Sequence, residues 1–284
     1  MNRHDFAQLF KLPMSLMATA SAATGYLAFA HAPSWRLLLV AGAVLLLAFA
    51  ACALNEAQEH RLDARMERTR GRPIPAGKIS PFAVVMIAAL LGGLALIGLW
   101  QSGGWKSASL GALALLWYNG LYTTLKPVSS LASVVGSVVG AIPPAIGWLC
   151  AGGTLDGPIL SLSFFLLMWQ VPHFWLLAMR IGDDSQRAKL PTLARRMGVD
   201  SLSRMTFMWT TATAASALLL PIFGLSSSPF VALGLAAGGA WLVVVVWRSL
   251  RMRSSSGFRR AFNAINAYAA LIMAAVVLDA ILAR

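Results

Sequence analysis

Apolar runs of about twenty residues, separated by short polar stretches, recur along almost the whole chain, and no other feature restricts its fold so severely. A hydrocarbon layer about 30 Å thick is crossed by roughly 20 residues of helix. Inside lipid the backbone must satisfy its own N–H and C=O groups, which makes such runs helical. They occur at 12–32, 36–54, 81–101, 107–125, 131–152, 159–180, 205–225, 229–248 and 262–283. The expectation is an all-α integral membrane protein, a bundle of nine transmembrane helices forming a single domain over 1–284. The 12–32 run is long and is followed at once by another, so it is read as a span and not as a leader peptide. Only 12% of the residues are charged, about half the share in soluble chains. Two cysteines, Cys52 and Cys150, exclude a disulfide scaffold.

A net charge of +13 invites a nucleic-acid partner, and the placement of the charges argues against one. With the N-terminus in the cytoplasm, 20 of the 23 Lys and Arg fall on the inner side, against Arg36, Lys106 and Arg284 outside. That asymmetry is the positive-inside bias of membrane insertion. It accounts for the charge through the lipid bilayer alone, with no nucleic acid. An odd number of spans puts the C-terminus on the outer side.

Acids have little influence on membrane orientation, yet eight of the ten Asp and Glu lie on the inner side, six of them in two clusters. The first is Glu56, Glu59, Asp63 and Glu67, after the second run; the second is Asp183 and Asp184, after the sixth. Asn55, Glu59 and Asp63 are spaced four apart, so on a continuing helix they rise along one face, drifting about 40° per step. Such a row offers oxygen ligands to a hard cation, and Mg²⁺ characteristically joins one or two carboxylates to substrate phosphates. Arg68, Arg70, Arg72 and Lys78 follow immediately, donors suited to phosphate oxygens. Two roles are open to the acids: a metal-and-diphosphate site, or solvation of a helix end with arginine pairs at helical spacing. The second cluster, with Arg180, Arg187 and Lys189 beside it, favours the first role, because two patches on one side of a bundle can face each other.

Asn55-x-x-x-Glu59-x-x-x-Asp63 followed by MERTRGRPIPAG (Met66 to Gly77) resembles the first aspartate-rich motif of the UbiA superfamily of intramembrane prenyltransferases. YTTLKP at 122–127, GAIPPAIGWLCAGG at 140–153 and WQVPHFWLLA at 169–178 extend the resemblance over roughly 50–200, most closely to its haem O synthase branch. What the resemblance implies is a nine-helix UbiA-type bundle in the cell inner membrane. It would be a Mg²⁺-dependent transferase moving farnesyl from farnesyl diphosphate to a vinyl group of haem B, with hand-over of the product to haem A synthase or a terminal oxidase assembly. Residue by residue, it assigns Asn55, Glu59, Asp63, Asp183 and Asp184 to the metal site and Arg68, Arg72 and Lys126 to the diphosphate. The second motif departs from the branch pattern: DDSQRAKLPTL stands where DDYxxAGIPML is usual, Lys126 is followed by Pro127 and not Arg, and position 188 is Ala.

His173 lies in the sixth run, directly after Pro172. An ionisable group at membrane depth points to function, here an imidazole approaching haem iron; the alternative is a bond to backbone freed by the proline. Tyr118 and Tyr122 end the fourth run, either as interfacial belt residues or as a wall steering the prenyl cation. Pro143 and Pro144 suggest a cavity in the bundle, while the Gly and Ala of 132–147 suit close helix packing. Competing functions are prenylation of an aromatic ring on the same fold, and transport. A transporter places polar groups near mid-membrane, whereas here they cluster at one surface, as suits chemistry on an amphiphile.

Overall fold

The apolar runs form long helices in the computed structural model of the chain, which describes residues 2–180 and 193–282. A short amphipathic helix, α1 (Arg3–Leu9), precedes α2 (Leu12–Ala30) and α3 (Trp35–Asp63). Helix α3 runs nine residues beyond the apolar stretch and so carries Asn55, Glu59 and Asp63 on helical backbone. After a looped segment at 64–80 comes α4 (Pro81–Leu115), which widens into a π-helical turn at Leu116–Tyr122. Then follow α5 (Val138–Cys150), α6 (Gly157–Arg180), α7 (Val199–Ala217), α8 (Pro229–Arg251) and α9 (Ser255–Leu282). The motif acids Asp183 and Asp184, with Arg187 and Lys189, lie outside the described residues.

Seven helical stretches among the described residues are long and apolar enough to cross a membrane, making this a multi-pass membrane protein. The 45-residue stretch Pro81–Leu125 is one of them, and it doubles back on itself. Gly104 has φ +69° and ψ −165°, a region that essentially only glycine enters. Beyond the turn, Ser107 Oγ donates to Leu99 O at 2.7 Å, and a Cβ built on Gly111 would lie 2.7 Å from Leu99 Cδ1. A straight helix would hold those two residues about 18 Å apart. Helices α7 and α9 begin at Val199 and Ser255, ahead of the expected 205 and 262, because their first turns are polar and hydropathy alone does not mark them.

Contacts run from α2 through each helix in turn to α9, and from α9 back to α2, closing the bundle. The two largest of four apolar clusters among the described residues fill most of it. One, built around Leu162, Phe165, Leu242, Ile265 and Tyr268, joins α6, α8 and α9; the other, around Val44, Leu47, Leu99 and Ile146, joins α2 to α5. Between α2 and α5 the backbones themselves touch: a Cβ on Gly25 would fall 2.0 Å from Pro144 O, and one on Gly147 1.8 Å from Ala22 O. Close helix packing is therefore what the Gly- and Pro-rich α5 provides here. Outward-facing residues such as Phe82, Trp100 and Phe230, 74%, 66% and 84% exposed, suit lipid and not water.

Candidate active site

Asn55, Glu56, Glu59 and Asp63 are all buried, at 1%, 0%, 6% and 3% exposure. Acids that merely solvate a helix end would be exposed, so their burial does not fit that role. A buried carboxylate requires a partner, and each oxygen-bearing member of the row meets a cation from a different part of the chain. Lys11, at the start of α2, bonds Asn55 Oδ1 through Nζ. Lys126, just past the π turn, lies 2.8 Å from Glu59 Oε1 and 2.9 Å from Oε2, with hydrogen-bond geometry to Oε2. Arg72 Nη1 lies 2.6 Å from Asp63 Oδ2; nine residues on and in the loop, it is not a pair at helical spacing. Burial pushes the Lys11 ammonium below its ordinary range. Burial works the same way on Lys126, but the facing Tyr122 and Glu59 outweigh it and hold that ammonium above its usual value.

The loop at 64–80 is folded over the end of α3. Glu56 Oε1 accepts from the Ile74 backbone N–H at 3.3 Å, Thr69 Oγ1 donates to Asp63 O at 3.0 Å, and Ile74 packs with Leu9, Phe10 and Ala57. Lys78 reaches Asp5 on α1 at 2.5 Å. That bond, with the Asn2 backbone N–H, holds the Asp5 carboxyl below the usual carboxylate range. Arg68 lies on the same loop with its side chain exposed.

An aromatic row leads away from the acids. Lys11 Nζ is 3.4 Å from Tyr118 OH; Tyr118 stacks on Tyr122 at 5.4 Å between centroids, Tyr122 on Phe174 at 6.4 Å, and Phe174 meets His173 edge-on at 5.8 Å. Both tyrosines sit on the π turn, which shifts the side-chain register of α4; such insertions recur at functional sites. Asn55 Nδ2 donates to Thr123 Oγ1 at 3.0 Å, pinning α3 to the end of that turn. His173 bonds Asn266 at 2.8 Å, so its partner is a side chain of α9 and not the backbone near Pro172.

The UbiA prenyltransferase family model matches residues 15–273 of the chain. The chain belongs to the UbiA prenyltransferase family. A protoheme IX farnesyltransferase from Geobacter sulfurreducens is 39% identical over 282 residues, 98% of this chain and 100% of that protein. In fold, this UbiA-family chain is similar to digeranylgeranylglyceryl phosphate synthase, with a TM-score of 0.77, 14% identity and 98% of both chains covered. It is also similar to a UbiA homolog from Archaeoglobus fulgidus bound to DMAPP and Mg²⁺, with a TM-score of 0.72, 10% identity, and 99% and 100% covered.

The donors of this UbiA chain fit a hard cation: one carboxamide and two carboxylates, all oxygen and all on one helix face. Every one of them is already aimed at positive charge. No group of three or more His, Cys, Asp or Glu side chains forms a ready metal cage among the described residues. Glu59 Oε1 and Glu56 Oε2 are buried without a hydrogen bond there. The structure brings together Asn55, Glu59, Asp63, Arg72, Lys126 and Tyr122 as the sequence suggests. It adds three groups that sequence reasoning did not place in the site: Lys11, Glu56 and Thr123. Glu56 was detectable, since 56, 59 and 63 follow the i, i+3, i+7 spacing of one helix face. Lys11, 44 residues from Asn55, carries no such signal.

Proposed function

We propose that the chain transfers a farnesyl group from farnesyl diphosphate to a vinyl group of haem B, giving haem O within the membrane. The observation that carries this reading is the set of three pairs Asn55–Lys11, Glu59–Lys126 and Asp63–Arg72 at one end of the bundle, in a chain related end to end to a protoheme IX farnesyltransferase. Asn55, Glu59 and Asp63 hold Mg²⁺, with Asp183 and Asp184 as the second acid set; bound there, the ion withdraws charge from the departing diphosphate. Lys11, Arg72, Lys126 and Arg68 supply donors to the diphosphate oxygens as the allylic C–O bond breaks, where fixed positive charge has its greatest effect. The faces of Tyr118, Tyr122 and Phe174 line the route of the farnesyl cation and stabilise it through their π electrons. The haem vinyl carbon attacks that cation. Water then adds to the cation formed beside the porphyrin and loses a proton, leaving a hydroxyethylfarnesyl group. His173 marks the haem end of the row.

The chain crosses the cell inner membrane nine times with its N-terminus in the cytoplasm and its C-terminus outside, which sets the acid row at the cytoplasmic surface. The basic-residue asymmetry and the hairpin at Gly104 support that topology. Membranes holding the protein, supplied with Mg²⁺, farnesyl diphosphate and haem B, form a haem that elutes later in reversed-phase chromatography. Prenylation of 4-hydroxybenzoate with haem left untouched overturns the acceptor.

A further inference from the structure

The bond between His173 and Asn266 determines which nitrogen of the imidazole carries the proton. Asn266 Nδ2 donates to Phe262 O, one turn back on α9, at 2.8 Å. A carbonyl oxygen only accepts, so the amide nitrogen must face Phe262 and the amide oxygen must face His173. Asn266 Oδ1 therefore accepts, and His173 Nδ1, 2.8 Å away, must be the donor. In the neutral ring that leaves Nε2 as a bare lone pair, and Nε2 has no hydrogen-bond partner among the described residues. Three aromatic rings flank the imidazole: Trp169 at 4.9 Å, Phe262 at 4.8 Å and Phe174 at 5.8 Å. None of these rings offers a hydrogen to Nε2 except through the Trp169 indole N–H, and that group is committed to Ile265 O at 3.0 Å.

An imidazole that donates Nδ1–H to a fixed oxygen while presenting Nε2 is oriented as metal-bound histidines are, with the outer partner setting tautomer and ring angle. We infer that His173 Nε2 is an axial ligand to the iron of an iron-porphyrin substrate and that Asn266 is the positioning residue holding His173 in the ligating tautomer. This rests on the haem reading above and goes beyond it in naming the ligating atom and its support. The flat porphyrin suits the surrounding rings, and iron ligation fixes the macrocycle at one end of the aromatic row, whose other end lies at Lys11 and Asn55.

The test is titration of the full-length protein, in nanodiscs, with ferric haem B. The wild type shows a histidine-ligated Soret and magnetic circular dichroism spectrum. His173→Ala loses that signature and regains it on adding free imidazole, while His173→Met moves it to a thioether-type spectrum. Asn266→Leu weakens haem binding by about 10-fold to 100-fold and leaves the affinity for farnesyl diphosphate with Mg²⁺ unchanged. A spectrum and affinity untouched by His173→Ala or His173→Met, in protein that still prenylates haem B, overturns the ligand but not the acceptor. Haem affinity untouched by Asn266→Leu overturns the positioning role. A wild type that neither binds nor prenylates haem B overturns the haem reading and this inference together.

Discussion

Glu59 and Lys126 stand 67 residues apart in the chain and meet across α3 and the end of the π turn, ammonium to carboxylate at 2.9 Å. The carboxylate is 6% exposed and the lysine side chain 36%, so the pair sits at the rim of the bundle with its acid end inside.

Under the proposed function, Lys126→Ala removes a donor to the diphosphate. It lowers kcat with farnesyl diphosphate by roughly 10²–10³ and leaves haem binding unchanged. Steady-state rates measured against both substrates check this. A variant with wild-type kcat takes Lys126 out of the reaction.

Asp63→Asn keeps the shape of the side chain and one acceptor oxygen for Arg72, 2.6 Å away in the native protein, while removing the charge a cation needs. Its thermal unfolding temperature in detergent falls, because the largely buried Arg72 loses its counter-charge, and turnover in the protein that is still folded collapses, as does that of Asp63→Ala. If Asp63→Asn turns over normally, the acid row is structural and the metal site is elsewhere.

Gly147→Ala places a Cβ 1.8 Å from the Ala22 carbonyl oxygen. Backbone cannot yield as a flexible side chain can, so α2 and α5 must separate, at a stability cost of roughly 1–3 kcal/mol or more. Gly93→Ala, whose Cβ meets nothing within 4 Å, serves as control. Unfolding temperatures that do not separate the two substitutions remove the close α2–α5 packing from the account of stability.

Asp5 is held below its ordinary value of 3.8 by Lys78 and the Asn2 backbone N–H. A lowered folded-state pKa stabilises the fold above the unfolded value, and that contribution is lost as pH falls through the folded one. The clamp between α1 and the 64–80 loop is therefore whole near neutrality and is lost only as the pH falls past the ordinary value of 3.8 and through the lowered folded-state one. Hydrogen exchange at 64–80, extrapolated to a common chemical rate, rises on acidification in the wild type. In Asp5→Asn exchange is already fast at neutral pH, and equal exchange in the two proteins would contradict the clamp.

What local chemistry dictates was legible in the sequence. Apolar runs of span length can only be helices in lipid, so the all-helical membrane bundle follows from hydropathy. The spacing of Asn55, Glu59 and Asp63 placed them on one face once α3 was continued, because a helix converts a period of four into a row. Periodicity is silent on whatever depends on a residue far along the chain. Neither Lys11 nor Asn266, 93 residues from His173, carries a mark of its role; each acquired it from the helix packed opposite. The π turn that presents Tyr118 and Tyr122, and the contact of Gly25 with the Pro144 carbonyl, likewise exist only once helices meet. Helices and the spacing of side chains along them follow from neighbours in the chain, whereas the pairing of Glu59 with Lys126 and of Asp63 with Arg72 is decided by the packing of the bundle, since burial makes an unpartnered charge costly.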